Sequence, residues 1–162
     1  MSLERNVLMA VAFLSLGALG AALVSQHVFD MQPCAWCVLQ RVIYIIILVF
    51  ALLGLVMPLL RKPALGLVAL TGATGIGVAY YQVTVASSSL SCDLTLADRI
   101  ITGNGLDVIA PWLFGVYASC FDAAVDLLGI EYAVWSLLLF AVLATASAAT
   151  LWISCRSQRN RG

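Results

Sequence analysis

The chain is 162 residues long, 63% hydrophobic and only 10% charged, with a formal net charge of zero. That composition and its strongly positive mean hydropathy exclude a soluble domain with a polar surface and describe an integral membrane protein. There is no basic patch, and Arg99 stands alone in a long polar segment, so nucleic acid is excluded as a partner.

Apolar runs of roughly 20 residues, the length that crosses about 30 Å of hydrocarbon as a helix, fall at about 7–25, 41–60, 64–86 and 132–153. They predict an all-α membrane protein: one four-transmembrane-helix bundle over residues 1–162, with outer loops at about 26–40 and 87–131. The first run competes with a secretory leader, because Ala18-Leu19-Gly20 has the form of a small-residue cleavage site. Its weak charged start, where Glu4 cancels Arg5, and its full spanning length favour a retained span.

The stretch from Gln26 to Pro33 is too short to fold alone, so the next motif, Cys34-Ala35-Trp36-Cys37, is held at the membrane surface. A disulfide closing so small a ring stabilises by only about 2 kcal/mol, which makes redox chemistry the better reason for the pair. Trp36 reads as an interfacial anchor or, alternatively, as a shield for the sulfurs. Arg41 stands about one helical turn beyond Cys37, at the top of span two. A charge at that depth is costly and more often functional than incidental; the competing reading is a side chain snorkelling to headgroups.

Arg61-Lys62-Pro63 joins spans two and three as a tight turn, and span three carries Gly66, Gly72, Gly75 and Gly77, small residues that let helices approach closely in lipid. Beyond it, Ser87-Ser88-Ser89-Leu90-Ser91 is a flexible lead-in to Cys92. Between Asp107 and Cys120, the residues Pro111, Trp112, Leu113, Phe114, Val116 and Tyr117 predict a short interfacial helix beginning near Pro111. A helix buried against the bundle is the alternative.

Arg5, Arg61, Lys62, Arg156, Arg159 and Arg161 fall on one face of a four-crossing chain, which places both termini in the cytoplasm. Cys34, Cys37, Cys92 and Cys120 then share the outer, oxidising face, and Cys155 lies at the inner end with no assigned role. Four cysteines allow three pairings; proximity favours Cys34 with Cys37 and Cys92 with Cys120. A zinc site from the four is disfavoured by the compartment and by the wide spacing of the second pair. His27 is the only histidine and reads as a surface residue, so no metal is expected.

Two cysteine pairs on one face suit a relay of thiol–disulfide exchanges. The loop pair can meet a soluble protein, while Cys34 and Cys37 stay at the membrane, so electrons are expected to run from loop to membrane. Reoxidising a strong oxidant near about −120 mV with a glutathione-like pool near about −200 mV is uphill by roughly 4 kcal/mol for two electrons. A more oxidising sink is needed. With no haem motif, dinucleotide loop or iron–sulfur cysteine set, a lipid-soluble quinone fits best, with Arg41 placed to stabilise a Cys37 thiolate and to bond a quinone carbonyl.

These residues together resemble a known family. Gln26-His27, Pro33-Cys34 and Cys37 with Gln40-Arg41, a second loop carrying Cys92-Asp93 and then Cys120, and four spans with inner termini look like the disulfide bond formation protein B family, DsbB. The resemblance covers nearly the whole chain. It implies that Cys92 forms a mixed disulfide with a periplasmic thioredoxin-like protein of DsbA type and that Cys120 is its pairing cysteine. It further implies that Cys34 bonds transiently to Cys120, and that Cys37, beside Arg41, donates to bound ubiquinone or menaquinone in the bacterial inner membrane. A polar residue near the outer end of span three also serves the family's quinone site, and here that residue is Gln82.

Two other functions compete. A four-span interaction protein would use its disulfides as braces, and closing about 28 residues between Cys92 and Cys120 stabilises by about 3–4 kcal/mol, but bracing leaves the CxxC and Arg41 unexplained. A quinone-linked thiol enzyme of the vitamin K epoxide reductase type also pairs loop cysteines with a membrane CxxC, but there the CxxC lies late in the bundle and here it follows the first span.

Overall fold

A computed structural model describes residues 3–85, 96–119, 126–127 and 129–159. Four helices are long and apolar enough to cross a membrane: α1 (Leu3–His27), α2 (Ala35–Val56), α3 (Arg61–Thr84) and the last helix, Tyr132–Arg159. Between α3 and that last helix lie α4 (Leu96–Gly103), α5 (Leu106–Ile109) and α6 (Pro111–Phe114), then a minimal antiparallel hairpin in which β1 (Asp126–Leu127) pairs with β2 (Ile130–Glu131). The last helix is therefore α7. Around the bundle the order is α1, α2, α3, α7, with α7 closing back on α1 and the widest packing between α3 and α7.

The helices start and stop where backbone chemistry requires. Pro33 has no N–H to donate, and Cys34 caps α2 in extended conformation (φ −86°, ψ 169°), its carbonyl accepting from Val38 N–H at 3.0 Å. The helix thus begins at Ala35, ahead of the hydropathic run expected from 41, and Cys37, Gln40 and Arg41 all stand on its first two turns. At the far end Met57 precedes a proline and is extended (φ −111°, ψ 101°), as the clash with a following proline ring requires. A single 3-10 turn, Pro58–Leu60, then reverses the chain. The reversal sits there and not at Arg61-Lys62-Pro63, because Pro63 is tolerated in the first turn of α3, where its missing N–H has no helical acceptor.

The bundle core is built from Leu8, Val11, Ile47, Leu65, Val68, Phe140 and Leu143, all nearly or fully buried. Phe140 of α7 stacks on Tyr44 of α2, with centroids 4.2 Å apart and planes 12° from parallel. This fits only because α3 presents Gly75: a Cβ there would lie 2.6 Å from the Phe140 ring. Of the small residues expected to serve close packing in span three, Gly75 and Gly72 do so, and Gly77 faces open space.

The segment before α7 departs from the single interfacial helix expected after Pro111. The helix starting at Pro111 is one turn long and stops at Gly115, whose extended backbone (φ −63°, ψ 134°) cannot continue it. Ahead of it lies α4, eight residues that sequence did not suggest. Its Ala97 and Ile101, four apart on one face, are fully buried against Cys34, Trp36, Val38 and Leu39. Val108, Ile109 and Trp112 stay exposed at 80%, 76% and 57%, so this segment is neither wholly buried nor a continuous amphipathic helix.

Candidate redox site between the CxxC and a polar cluster in the bundle

Cys34 and Cys37 flank the first turn of α2, and their sulfurs lie in thiol–thiol contact at 3.1 Å. Their environments differ sharply. Cys34 is fully buried in a satellite core with Ala97 and Ile101 of α4, with Phe114 of α6 packed against it. The loop is stitched down beside it, since the Pro33 carbonyl accepts from the backbone N–H groups of Tyr117 (3.1 Å) and Ala118 (3.4 Å). Cys37 instead turns toward the bundle interior and borders a cavity of about 310 Å³ between α1, α2 and α7.

Three long polar side chains surround Cys37, each buried to 93% or more: Gln40 and Arg41 of α2, and Gln82 of α3. The Gln82 Nε2 donates to Cys37 Sγ at 3.1 Å, and its Oε1 accepts from Gln40 Nε2 at 2.6 Å. Arg41 Nη1 donates to Gln26 Oε1 of α1 (2.6 Å) and to the Leu113 carbonyl of α6 (2.9 Å), while Nη2 reaches the Ala22 carbonyl at 3.4 Å. A guanidinium has five N–H groups. Both on Nη1 are used, whereas Nη2 and Nε keep donors for a further acceptor.

Arg41 therefore does not snorkel. Its charge is held inside the protein by carbonyl oxygens, an arrangement that is costly in a membrane span. Trp36 likewise differs from the interfacial anchor expected of it: it is 7% exposed and lies against Tyr81 at 4.7 Å, packed among the residues that cover Cys34.

The cavity is mostly apolar. Ala18, Ala21 and Ala22 of α1 give it a low wall, and Tyr132 and Trp135 of α7 border it with aromatic surface. At its floor, the Tyr44 hydroxyl lies 3.0 Å from Ser136 Oγ. A flat, largely apolar molecule with a few acceptor oxygens suits such a space, with Arg41 and Cys37 at one end. Of the predicted site residues, Cys34, Cys37, Arg41 and Gln82 come together here; Cys92 and Cys120 lie outside the described residues. His27 is exposed, with Nδ1 3.0 Å from the Leu23 carbonyl, and Cys155 is exposed on the last turns of α7. Gln26 and Gln40 entered the sequence argument only as motif positions, yet both prove to be part of the buried cluster. Hydropathy leaves both at the edges of the loop expected at about 26–40, whereas α1 and α2 extend to include them, and a glutamine buried in a bundle has to find a partner.

Comparison with known proteins agrees over most of the length. Residues 4–150 match the family model described as disulfide bond formation protein DsbB. A disulfide bond formation protein B of Ralstonia nicotianae is 35% identical over 145 residues, which is 87% of this chain and 89% of the relative. Proteins of Pseudomonas syringae pv. syringae (33% over 144 residues, 87% and 85%) and Cupriavidus metallidurans (30% over 149 residues, 91% and 92%), described in the same terms, are also similar.

Proposed function

The chain belongs to the DsbB family of membrane disulfide bond formation proteins, and from that premise we propose that it reoxidises a periplasmic DsbA-type dithiol protein and passes two electrons to a respiratory quinone, ubiquinone or menaquinone. The observation that carries this reading is the opening of Cys37, one sulfur of the Cys34–Cys37 dithiol, onto a ring-sized apolar cavity bordered by Arg41. In a bacterial inner membrane the cysteine end faces the periplasm. This orientation is supported by Arg5, Arg61, Lys62, Arg156 and Arg159 at the other ends of the spans.

The exchange balances in three steps. The partner's two thiols become a disulfide as the Cys92–Cys120 disulfide opens to two thiols. Those thiols regain their disulfide by reducing the one between Cys34 and Cys37. The Cys34–Cys37 dithiol then loses two electrons and two protons and closes again. A quinone held beside Cys37 and Arg41 would supply the matching two-electron, two-proton acceptor, giving the quinol.

This chain's residues serve the last step in distinct ways. The Gln82 N–H stabilises negative charge on Cys37 Sγ, and the spare donors of Arg41 fit an acceptor oxygen beside that sulfur. The small alanine side chains of α1 leave room for a flat ring in the cavity that Cys37 borders. Cys34, 3.1 Å from Cys37, is placed to re-form the disulfide as charge leaves.

The test uses purified protein in detergent with a reduced DsbA-type protein and a soluble quinone, following quinone absorbance. Turnover that disappears in Cys37→Ser is the expected result. Absence of turnover with both ubiquinone and menaquinone analogues overturns the reading.

A further inference from the structure

A primary amide beside a sulfur works only one way round. Its N–H end stabilises a thiolate, and its carbonyl end repels one, although the two ends are nearly the same size. Gln82 presents the N–H end to Cys37 Sγ at 3.1 Å. The backbone does not dictate that choice, because rotation about the last side-chain bond exchanges the two ends at little steric cost. What distinguishes them is the partner at the far end of the amide. Gln40 Nε2 donates to Gln82 Oε1 at 2.6 Å, and both side chains are buried, with 6% and 4% of their surfaces exposed. Reversing Gln82 alone leaves a donor facing a donor on one side and an acceptor facing sulfur on the other, and reversing both amides restores the first contact but not the second.

We propose that Gln40 is a positioning residue that holds the Gln82 amide with its N–H toward Cys37, so that the sulfur meets a donor each time the dithiol is about to give up electrons. The role rests on the reading of Cys37 as the electron exit. Gln40 acts through Gln82 and makes no hydrogen bond to the sulfur itself. Its position one turn along α2 from Cys37, and across from α3, lets one side chain couple the helix that carries the thiol to the helix that carries the donor.

Replacements at position 40 are expected to differ in their effect. Methionine at position 40 keeps the volume and removes the donor, so Gln82 is free to turn. Glutamate keeps the shape and, when ionised, only accepts, so it draws the Gln82 N–H toward itself and away from the sulfur, and its charge adds a direct repulsion of a Cys37 thiolate. The other ionisable groups about Cys37, namely Cys34 before α2, Arg41 and Tyr44 of α2 and Tyr132 of α7, stay in place in both variants.

The experiment measures alkylation of Cys37 by iodoacetamide in the fully reduced, detergent-solubilised protein, quantified by mass spectrometry of the Cys37 peptide across pH. At neutral pH the expected rate falls about threefold in Gln40→Met and about tenfold in Gln40→Glu. At high pH, where the thiolate forms without help, both are expected within about twofold of wild type. A change in packing or access would slow the reaction at every pH. In Gln82→Met the Gln40→Met change is expected to have no further effect. Wild-type rates at neutral pH in both Gln40 variants, equal slowing at all pH values, or additive losses in the double variant each overturn the role. The assay contains neither quinone nor partner, so its failure is separate from a failure of quinone turnover in the wild-type protein.

Discussion

Replacing Arg41 by methionine tests whether the guanidinium holds the redox end of the bundle together. The methionine keeps much of the apolar stem and removes donors to Gln26 Oε1, the Leu113 carbonyl and the Ala22 carbonyl. The first two are short, and orphaning each buried acceptor costs about 1–3 kcal/mol. Removing the charge recovers part of that, because a buried guanidinium carries its own desolvation penalty. The balance is a net loss of about 2–4 kcal/mol, which for a chain of this length lowers Tm by roughly 5–15 °C. Thermal unfolding in detergent, followed by tryptophan fluorescence, reads it directly. Limited proteolysis gives a second signature, since losing the bond to Leu113 frees the segment 96–119 for cleavage. Arg41→Lys is expected to recover only part of the loss, because a single ammonium lacks the fork that reaches three acceptors on two other helices. A Tm within about 1 °C of wild type for Arg41→Met would mean that the three bonds add nothing beyond the charge's own cost, contrary to this expectation.

Gly75 and Gly77 form a matched pair: Gly75→Ala drives a Cβ into the Phe140 ring and is expected to destabilise by about 1–3 kcal/mol, whereas Gly77→Ala meets nothing within 4 Å and is expected to be neutral or stabilising in the same melt. In the reduced protein at short times, mass spectrometry should find Cys155 alkylated first, Cys37 next and Cys34 last, an order set by exposure; early labelling of Cys34 would contradict its burial. Ile101→Ala empties space in the cluster that buries that thiol, so Cys34 labelling should rise at least fivefold while the Cys155 rate stays constant.

The four long helices were legible because an apolar run of spanning length has no soluble alternative, and Cys34, Cys37 and Arg41 stood out as chemistry inside or beside such runs. The start of α2 was not. Arg41 breaks the hydropathic run, while Pro33 and the extended Cys34 set the real boundary a full turn and a half earlier. Helix α4 escaped notice because only Ala97 and Ile101 of its eight residues face inward, too few to declare a period. Gln82 was reached through family resemblance and has its sulfur contact. Its partner was out of reach of any local pattern, since Gln40 and Gln82 are 42 positions apart and meet only when α2 packs on α3.

The covering of Cys34 by α4, Trp36 and the stitched loop has a consequence for selectivity among oxidants and reductants. A thiol with no exposed surface exchanges with small molecules only as often as its cover opens, so abundant free thiols of the surroundings are held off by kinetics whatever the driving force. On the proposed route electrons enter from the loop and leave through Cys37, so the two sulfurs, 3.1 Å apart, serve there as the insulated and the live terminals of one couple.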